Sequence, residues 1–138
     1  MIEDARMHHV GCLVADMEAA ICDHRALWSL AEVSEIFEIQ DQSVRVCFVR
    51  TQPGAVALEI VQPAAGTSLH ALLGRGVSLY HTGYEINDLD SAMSHATAAG
   101  CRCMKPFTSE AFDGRRCVFL YTPGKLLIEL IEARQVMA

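Results

Sequence analysis

The sequence predicts an α+β fold built from two βαβββ modules, and three observations lead there. The chain has 138 residues, enough for one compact domain or two small halves sharing a core. His9-Val10-Gly11-Cys12-Leu13-Val14-Ala15-Asp16 lines up with His81-Thr82-Gly83-Tyr84-Glu85-Ile86-Asn87-Asp88, so that histidine, glycine and aspartate coincide at one fixed spacing. Later in each half, Val46-Cys47-Phe48-Val49 answers Cys117-Val118-Phe119-Leu120, and Val56 to Val61 answers Leu126 to Ile131.

In the first half, His9 to Val14 is β-rich and ends at Asp16, a good N-cap for the apolar-periodic segment Met17 to Leu27. Val33 to Ile39, Val44 to Arg50 and Val56 to Val61 then read as strands, separated by the turn signals Gln40-Asp41-Gln42 and Gln52-Pro53-Gly54. The second half repeats the order. A strand from Leu79 to Ile86 leads to a helix from Leu89 to Ala99 ended by Gly100, and strands follow near Cys101 to Lys105, Arg116 to Tyr121 and Leu126 to Glu132. Thr122-Pro123-Gly124 forms the last turn. A small apolar helix around Leu69 to Leu73 sits in the connection. The expected division is residues 1–63 for the first module, 64–78 for the linker and 79–138 for the second module.

Composition narrows the function. Hydrophobic residues make up 51% and charged residues 20%, a globular balance rather than a disordered one. The net charge of −6 comes with scattered basic residues, which excludes the positive stripe that nucleic acid requires. Apolar runs fall short of the roughly 20 residues a membrane helix needs. The N-terminus is acidic and lacks an apolar signal core, so a cytoplasmic location is expected. Cys12, Cys22, Cys47, Cys101, Cys103 and Cys117 lie mostly in apolar stretches without a CxxC spacing, and read as reduced core residues.

Two glutamates stand out against this background. Glu59 interrupts the apolar strand Val56 to Val61, and Glu129 does the same within Leu126 to Ile131. A carboxylate desolvated without a partner costs several kcal/mol. His9 and His81 occupy matching places on the first strand of each unit, and a pseudo-twofold between the units would bring all four side chains together. Two imidazoles and two carboxylates suit a divalent metal such as zinc, nickel, cobalt, iron or manganese. His8, His24, His70 and His95 read as structural or solvent-facing, and the scattered arginines and lysines, Arg45, Arg102, Arg115 and Arg116 among them, as solvated surface.

The phrases His8-His9-Val10-Gly11, Leu58-Glu59-Ile60-Val61-Gln62-Pro63, Tyr80-His81-Thr82-Gly83-Tyr84-Glu85-Ile86-Asn87-Asp88-Leu89 and Leu127-Ile128-Glu129-Leu130 resemble the vicinal oxygen chelate superfamily. That group includes glyoxalase I, methylmalonyl-CoA epimerase, extradiol dioxygenases and antibiotic resistance proteins. The resemblance implies two βαβββ modules curled as a mixed sheet around a metal cleft, with His9, Glu59, His81 and Glu129 as ligands and Glu129 also as the general base. The segment Gly114 to Gly124 is similar to the epimerase branch, which implies a small-molecule substrate such as an acyl-CoA or another thioester. A metal-dependent epimerase, isomerase or glyoxalase-like lyase acting as a homodimer is the expectation. The third strand holds Val44-Arg45-Val46-Cys47-Phe48, without the second carboxylate base that some epimerases carry there. An antibiotic-binding protein and an extradiol-type dioxygenase of the same fold are the competing readings.

Overall fold

The computed structural model describes residues 1–134. They form ten strands and three helices, an α+β architecture in which residues 9–80 cluster as one compact unit and residues 1–8 with 81 onward as a second.

The strand β1 (Arg6–Leu13) enters the first unit at His9 and leads through Asp16 into α1 (Met17–Leu27). The Asp16 carboxylate accepts the Ala19 amide at 3.0 Å, satisfying one of the orphan donors of the first helical turn. Then come β2 (Glu32–Val33), β3 (Phe37–Ile39), a 3₁₀ turn over Gln40–Gln42, β4 (Val44–Arg50), β5 (Ala57–Pro63) and α2 (Ser68–Gly74). β5 is central: it pairs in parallel with β1 and antiparallel with β4, which in turn carries β2 and β3. Met17 from α1 packs against Cys47, Val49 and Ile60 on one face of this sheet.

The second unit is built the same way. It comprises β6 (Leu79–Ile86), α3 (Leu89–Ala98), β7 (Arg102–Cys103), β8 (Phe107–Ser109), a 3₁₀ turn over Glu110–Phe112, β9 (Arg115–Tyr121) and β10 (Leu127–Glu132). β10 is central here, parallel to β6 and antiparallel to β9, with β7 and β8 on β9. Asp88 caps α3 by accepting the Ser91 amide at 3.0 Å, and Leu89, Ala92 and Ala96 bury the helix against Val118, Leu120 and Leu130. Both 3₁₀ turns end on a residue in the left-handed region, Ser43 (φ 54°) and Asp113 (φ 56°), short polar side chains that tolerate it.

The expected elements are present, with differences that have local causes. The run Val33 to Ile39 is split into β2 and β3 because Ser34 turns its hydroxyl to the sheet. Its Oγ accepts the Phe48 amide at 2.8 Å, replacing a main-chain carbonyl of the ladder, and donates to the Glu35 carbonyl at 2.8 Å. The expected strand Cys101 to Lys105 is reduced to β7 over Arg102 and Cys103, and β8 follows as a separate strand. Of the cysteines, Cys47 and Cys117 are buried while Cys22 is exposed on α1, so it is not a core residue.

A clamp repeated in the two units fixes each helix to its central strand. Gln62, near the end of β5, accepts the Met17 amide at 2.8 Å, and Arg45 on β4 bonds Gln62 at 3.3 Å and Glu18 at 2.7 Å. Glu132, at the end of β10, accepts the Leu89 amide at 3.2 Å, and Arg116 on β9 bonds Asp90 at 2.9 Å and lies 3.7 Å from Glu132. The arginine hydrogen bonds hold the Glu18 and Asp90 carboxyls below their ordinary range. Arg45 and Arg116 therefore belong to ion-pair networks rather than to free solvated surface.

Glu85 on β6 sits in a partly buried network, 2.8 Å from Arg115 and 3.5 Å from Arg6. Burial pushes its carboxyl up, but the Arg115 hydrogen bond and the charges of His8, Arg115 and Arg6 outweigh this and leave it below its usual range. Its stabilisation is therefore complete above the unfolded carboxyl value of about 4.3 and fades as pH falls through the depressed folded value. Glu85→Gln is expected to cost about 1 kcal/mol at pH 7 and almost nothing at pH 2, read from urea unfolding at the two pH values. Asp88→Ala is expected to cost about 1 kcal/mol at neutral pH in the same assay, through loss of the cap.

Candidate functional site

Each unit contains one buried histidine and one buried glutamate at equivalent positions. In the first, His9 and Glu59 are 0% and 5% exposed, with Nε2 and Oε1 3.9 Å apart. In the second, His81 and Glu129 are 5% and 3% exposed, with the same atoms 3.5 Å apart.

The strand register explains why the side chains meet. Within the parallel pair β1 and β5, His9 stands opposite Ala57 and Gly11 opposite Glu59. Residues in register share a face of the sheet, as do residues two apart, so His9 and Glu59 are diagonal neighbours on one face. Gly11 has no side chain to occupy the position between them, which leaves the glutamate room to lean toward the imidazole. The second unit repeats this: Gly83 stands opposite Glu129 across β6 and β10, with His81 two residues earlier on the same face.

An aromatic ring closes the other side of each pair. Phe48 is in register with Glu59 across β4 and β5, and its ring meets His9 edge-on at 5.8 Å. Phe119 is in register with Glu129 across β9 and β10 and meets His81 edge-on at 5.3 Å. Phe107 stacks on Phe119 at 5.6 Å. These rings exclude water from the polar pairs and raise the energetic stakes of the two carboxylates.

All four residues singled out by the sequence are thus buried on sheet faces, paired within their own units. The other histidines play lesser parts: His8 packs edge-on against Phe112 at 5.6 Å, His24 Nδ1 bonds the Ala20 carbonyl at 2.8 Å, and His70 and His95 are exposed. Sequence reasoning overlooked the two glycines and the two phenylalanines as parts of the site, although the repeat alignment already matched them in both halves.

A duplicated α+β chain with one buried His–Glu pair on adjacent parallel strands of each repeat is the class of protein that fold and site define. The chain belongs to the glyoxalase/bleomycin resistance protein/dioxygenase superfamily, whose model matches residues 8–119. No curated protein matches it. Among solved structures it is similar to the hypothetical protein BH1468 from Bacillus halodurans C-125, with a TM-score of 0.82 at 15% identity, covering 99% of each chain. It is also similar to methylmalonyl-CoA epimerase from Mycobacterium tuberculosis, with a TM-score of 0.79 at 22% identity, covering 94% of this chain and 88% of that one. A third likeness is to Streptomyces coelicolor methylmalonyl-CoA epimerase in complex with 2-nitronate-propionyl-CoA, with a TM-score of 0.81 at 23% identity over 99% of each chain. No helix of the described residues is long and apolar enough to cross a membrane.

The site's buried carboxylates make a prediction about stability. Replacing Glu129 by an apolar residue of similar size leaves His81, its partner at 3.5 Å, buried without the carboxylate. Metal-free Glu129→Leu protein is expected to be less stable than metal-free wild type, by about 3 kcal/mol in urea unfolding, and Glu129→Asp, which keeps the charge and shortens its reach, is expected to lose less.

Proposed function

We propose that the chain is a divalent-metal-dependent isomerase, epimerase or lyase that removes a proton beside a carbonyl of a small-molecule substrate. Its ligands would be His9, Glu59, His81 and Glu129, with residues 1–63 and 79–138 as the two modules. The observation that carries this reading is the presence, once in each repeat, of a buried histidine–glutamate pair framed by a glycine and a phenylalanine in the same register.

The donor chemistry fits a divalent ion. Neutral imidazole and carboxylate oxygen are the ligands that zinc, cobalt, nickel, manganese and iron(II) accept. Two carboxylates neutralise one dication, which offsets the cost of burying them. Glu59 and Glu129 each offer one ligand atom, as do the two histidines. A divalent metal bound there supplies Lewis-acid polarisation of a substrate carbonyl.

The protein's own groups supply the rest. Glu129 is the general base: its carboxylate is held by β10 on the face that also bears His81. Phe119 and Phe107 wall the same face and keep bulk water from quenching the carbanionic character that develops as the proton leaves. Glu59, framed by Gly11 and Phe48, has the matching position in the other unit and is the candidate to return a proton. Methylmalonyl-CoA and the hemithioacetal of glutathione and methylglyoxal are the model substrates of the two reactions closest to this reading, which takes the functional unit to be a homodimer.

Elemental analysis of the purified chain is expected to find about one divalent metal per chain, and a chelator is expected to lower its melting temperature in a way that added metal reverses. Proton exchange followed by NMR in deuterated water with each model substrate tests the base. Exchange that falls by at least about 100-fold in Glu129→Gln, with metal still bound, is the expected result. Equal exchange in wild type and variant removes Glu129 from that role.

A further inference from the structure

The two repeats match at the His–Glu pairs and part company at the outer end of the same faces. In the unit of residues 9–80, Glu32 on β2 stands in register with Arg50 on β4, and the two close that end as an ion pair at 2.6 Å. Arg50 Nε also donates to the Ala55 carbonyl at 2.9 Å. The equivalent positions in the other unit hold Arg102 on β7 and Tyr121 on β9, in register with each other. The carboxylate has become a cation and the cation a phenol, so among the described residues no ion pair closes this end. Arg102 is exposed, no carboxylate of the described residues pairs with it, and Tyr121 is 38% exposed.

Strand alternation places this opening on the face of Glu129. Phe119 lies opposite Glu129, and Tyr121 lies opposite Leu127. Met104, whose amide bonds the Phe119 carbonyl at 2.8 Å, follows Arg102 on the same side of the chain. The face therefore runs from a carboxylate, over Phe119, Leu127 and Tyr121, to an unpaired guanidinium. β7 lies two strands from β10, about 10 Å, and Arg102 is displaced by one two-residue step, about 7 Å, from the row of Glu129. The arginine side chain closes part of that span, leaving a gap that a chain of a few carbons bridges.

We propose that Arg102 is a specificity-determining residue of the proposed site. It holds an anionic end group, carboxylate or phosphoryl, of a substrate whose reacting carbon lies at Glu129 and whose carbon chain rests on Leu127 and Tyr121. This rests on the metal-dependent reading above. The bidentate fork of an arginine suits both kinds of anion, and the apolar floor beneath it lowers the competing hydration.

The test uses the full chain loaded with cobalt(II) and three metal-chelating 2-oxo acids in isothermal titration. 2-Oxopentanoate has an uncharged tail, 2-oxoglutarate ends in a carboxylate, and 2-oxo-4-phosphonobutanoate ends in a phosphonate. Wild type is expected to bind one or both anionic-tailed acids about 10-fold more tightly than 2-oxopentanoate, a charge-assisted hydrogen bond's worth of discrimination. Whichever tail is preferred identifies the end group. Arg102→Ala is expected to abolish the preference while cobalt content stays the same, and Arg102→Lys to keep part of it. Absence of a preference in wild type, or an unchanged preference in Arg102→Ala, overturns the assignment of Arg102 with the metal reading intact. A chain that holds no cobalt overturns the metal reading, and this inference with it.

Discussion

A carboxylate buried in the middle of a β-strand is the constraint around which each repeat is arranged. Glu59 and Glu129 lie in apolar runs on the central strand of their units, with hydrogen-bonded strands on both sides. Such a group is unfavourable on its own by several kcal/mol. Its surroundings answer that cost in the same way twice: a glycine on the neighbouring parallel strand leaves space, a histidine two residues earlier provides an imidazole, and a phenylalanine on the antiparallel strand seals the pair. No step in folding a sheet calls for this set. Its recurrence is better accounted for by chemistry than by stability.

The remaining charges do a different job, and magnitudes separate the two. The pairs of Arg45 with Glu18 and of Arg116 with Asp90 involve well-exposed carboxylates, where solvent screening leaves such pairs little energy. Their value is geometric. Each arginine joins the first turn of a helix to the strand beside the glutamate strand, and Gln62 or Glu132 completes the junction three residues beyond the buried carboxylate. Orientation of each buried glutamate is thereby coupled to the helix N-terminus through main-chain amides, which are stiffer anchors than side chains on loops.

Much of this was legible in the sequence because duplication writes every local signal twice. Asp16 announced a helix start and caps as expected, and Asp88, its match in the repeat, caps the second helix in the same way. His9, Glu59, His81 and Glu129 were recognisable because polar residues in apolar strands recurred at equivalent places. What stayed hidden depends on partners distant in sequence. The break between β2 and β3 comes from a hydroxyl of Ser34 taking over a ladder bond to Phe48, which strand propensity does not report. The role of Gly11 and Gly83 becomes visible only with the register, since the glycine and the glutamate it makes room for lie on different strands. Arg45 and Arg116 looked like ordinary surface because their partners sit on a helix and on a neighbouring strand. Cys22 was misplaced because an apolar stretch on an amphipathic helix also has a wet side.

Duplication also supplies an internal control on which features belong to the scaffold. Positions where both copies agree, such as the helix caps, the left-handed residues after the 3₁₀ turns and the framed His–Glu pairs, are what the module or its buried polar pair needs. Positions where the copies disagree while the backbone register is kept are free of both demands. The exchange of Glu32 and Arg50 for Arg102 and Tyr121 is of this second kind, since both strand pairs form in the same register with either set. An edge that folds equally well with its charges closed or open has been released from structural duty. The copy left open is the one whose glutamate was assigned the base.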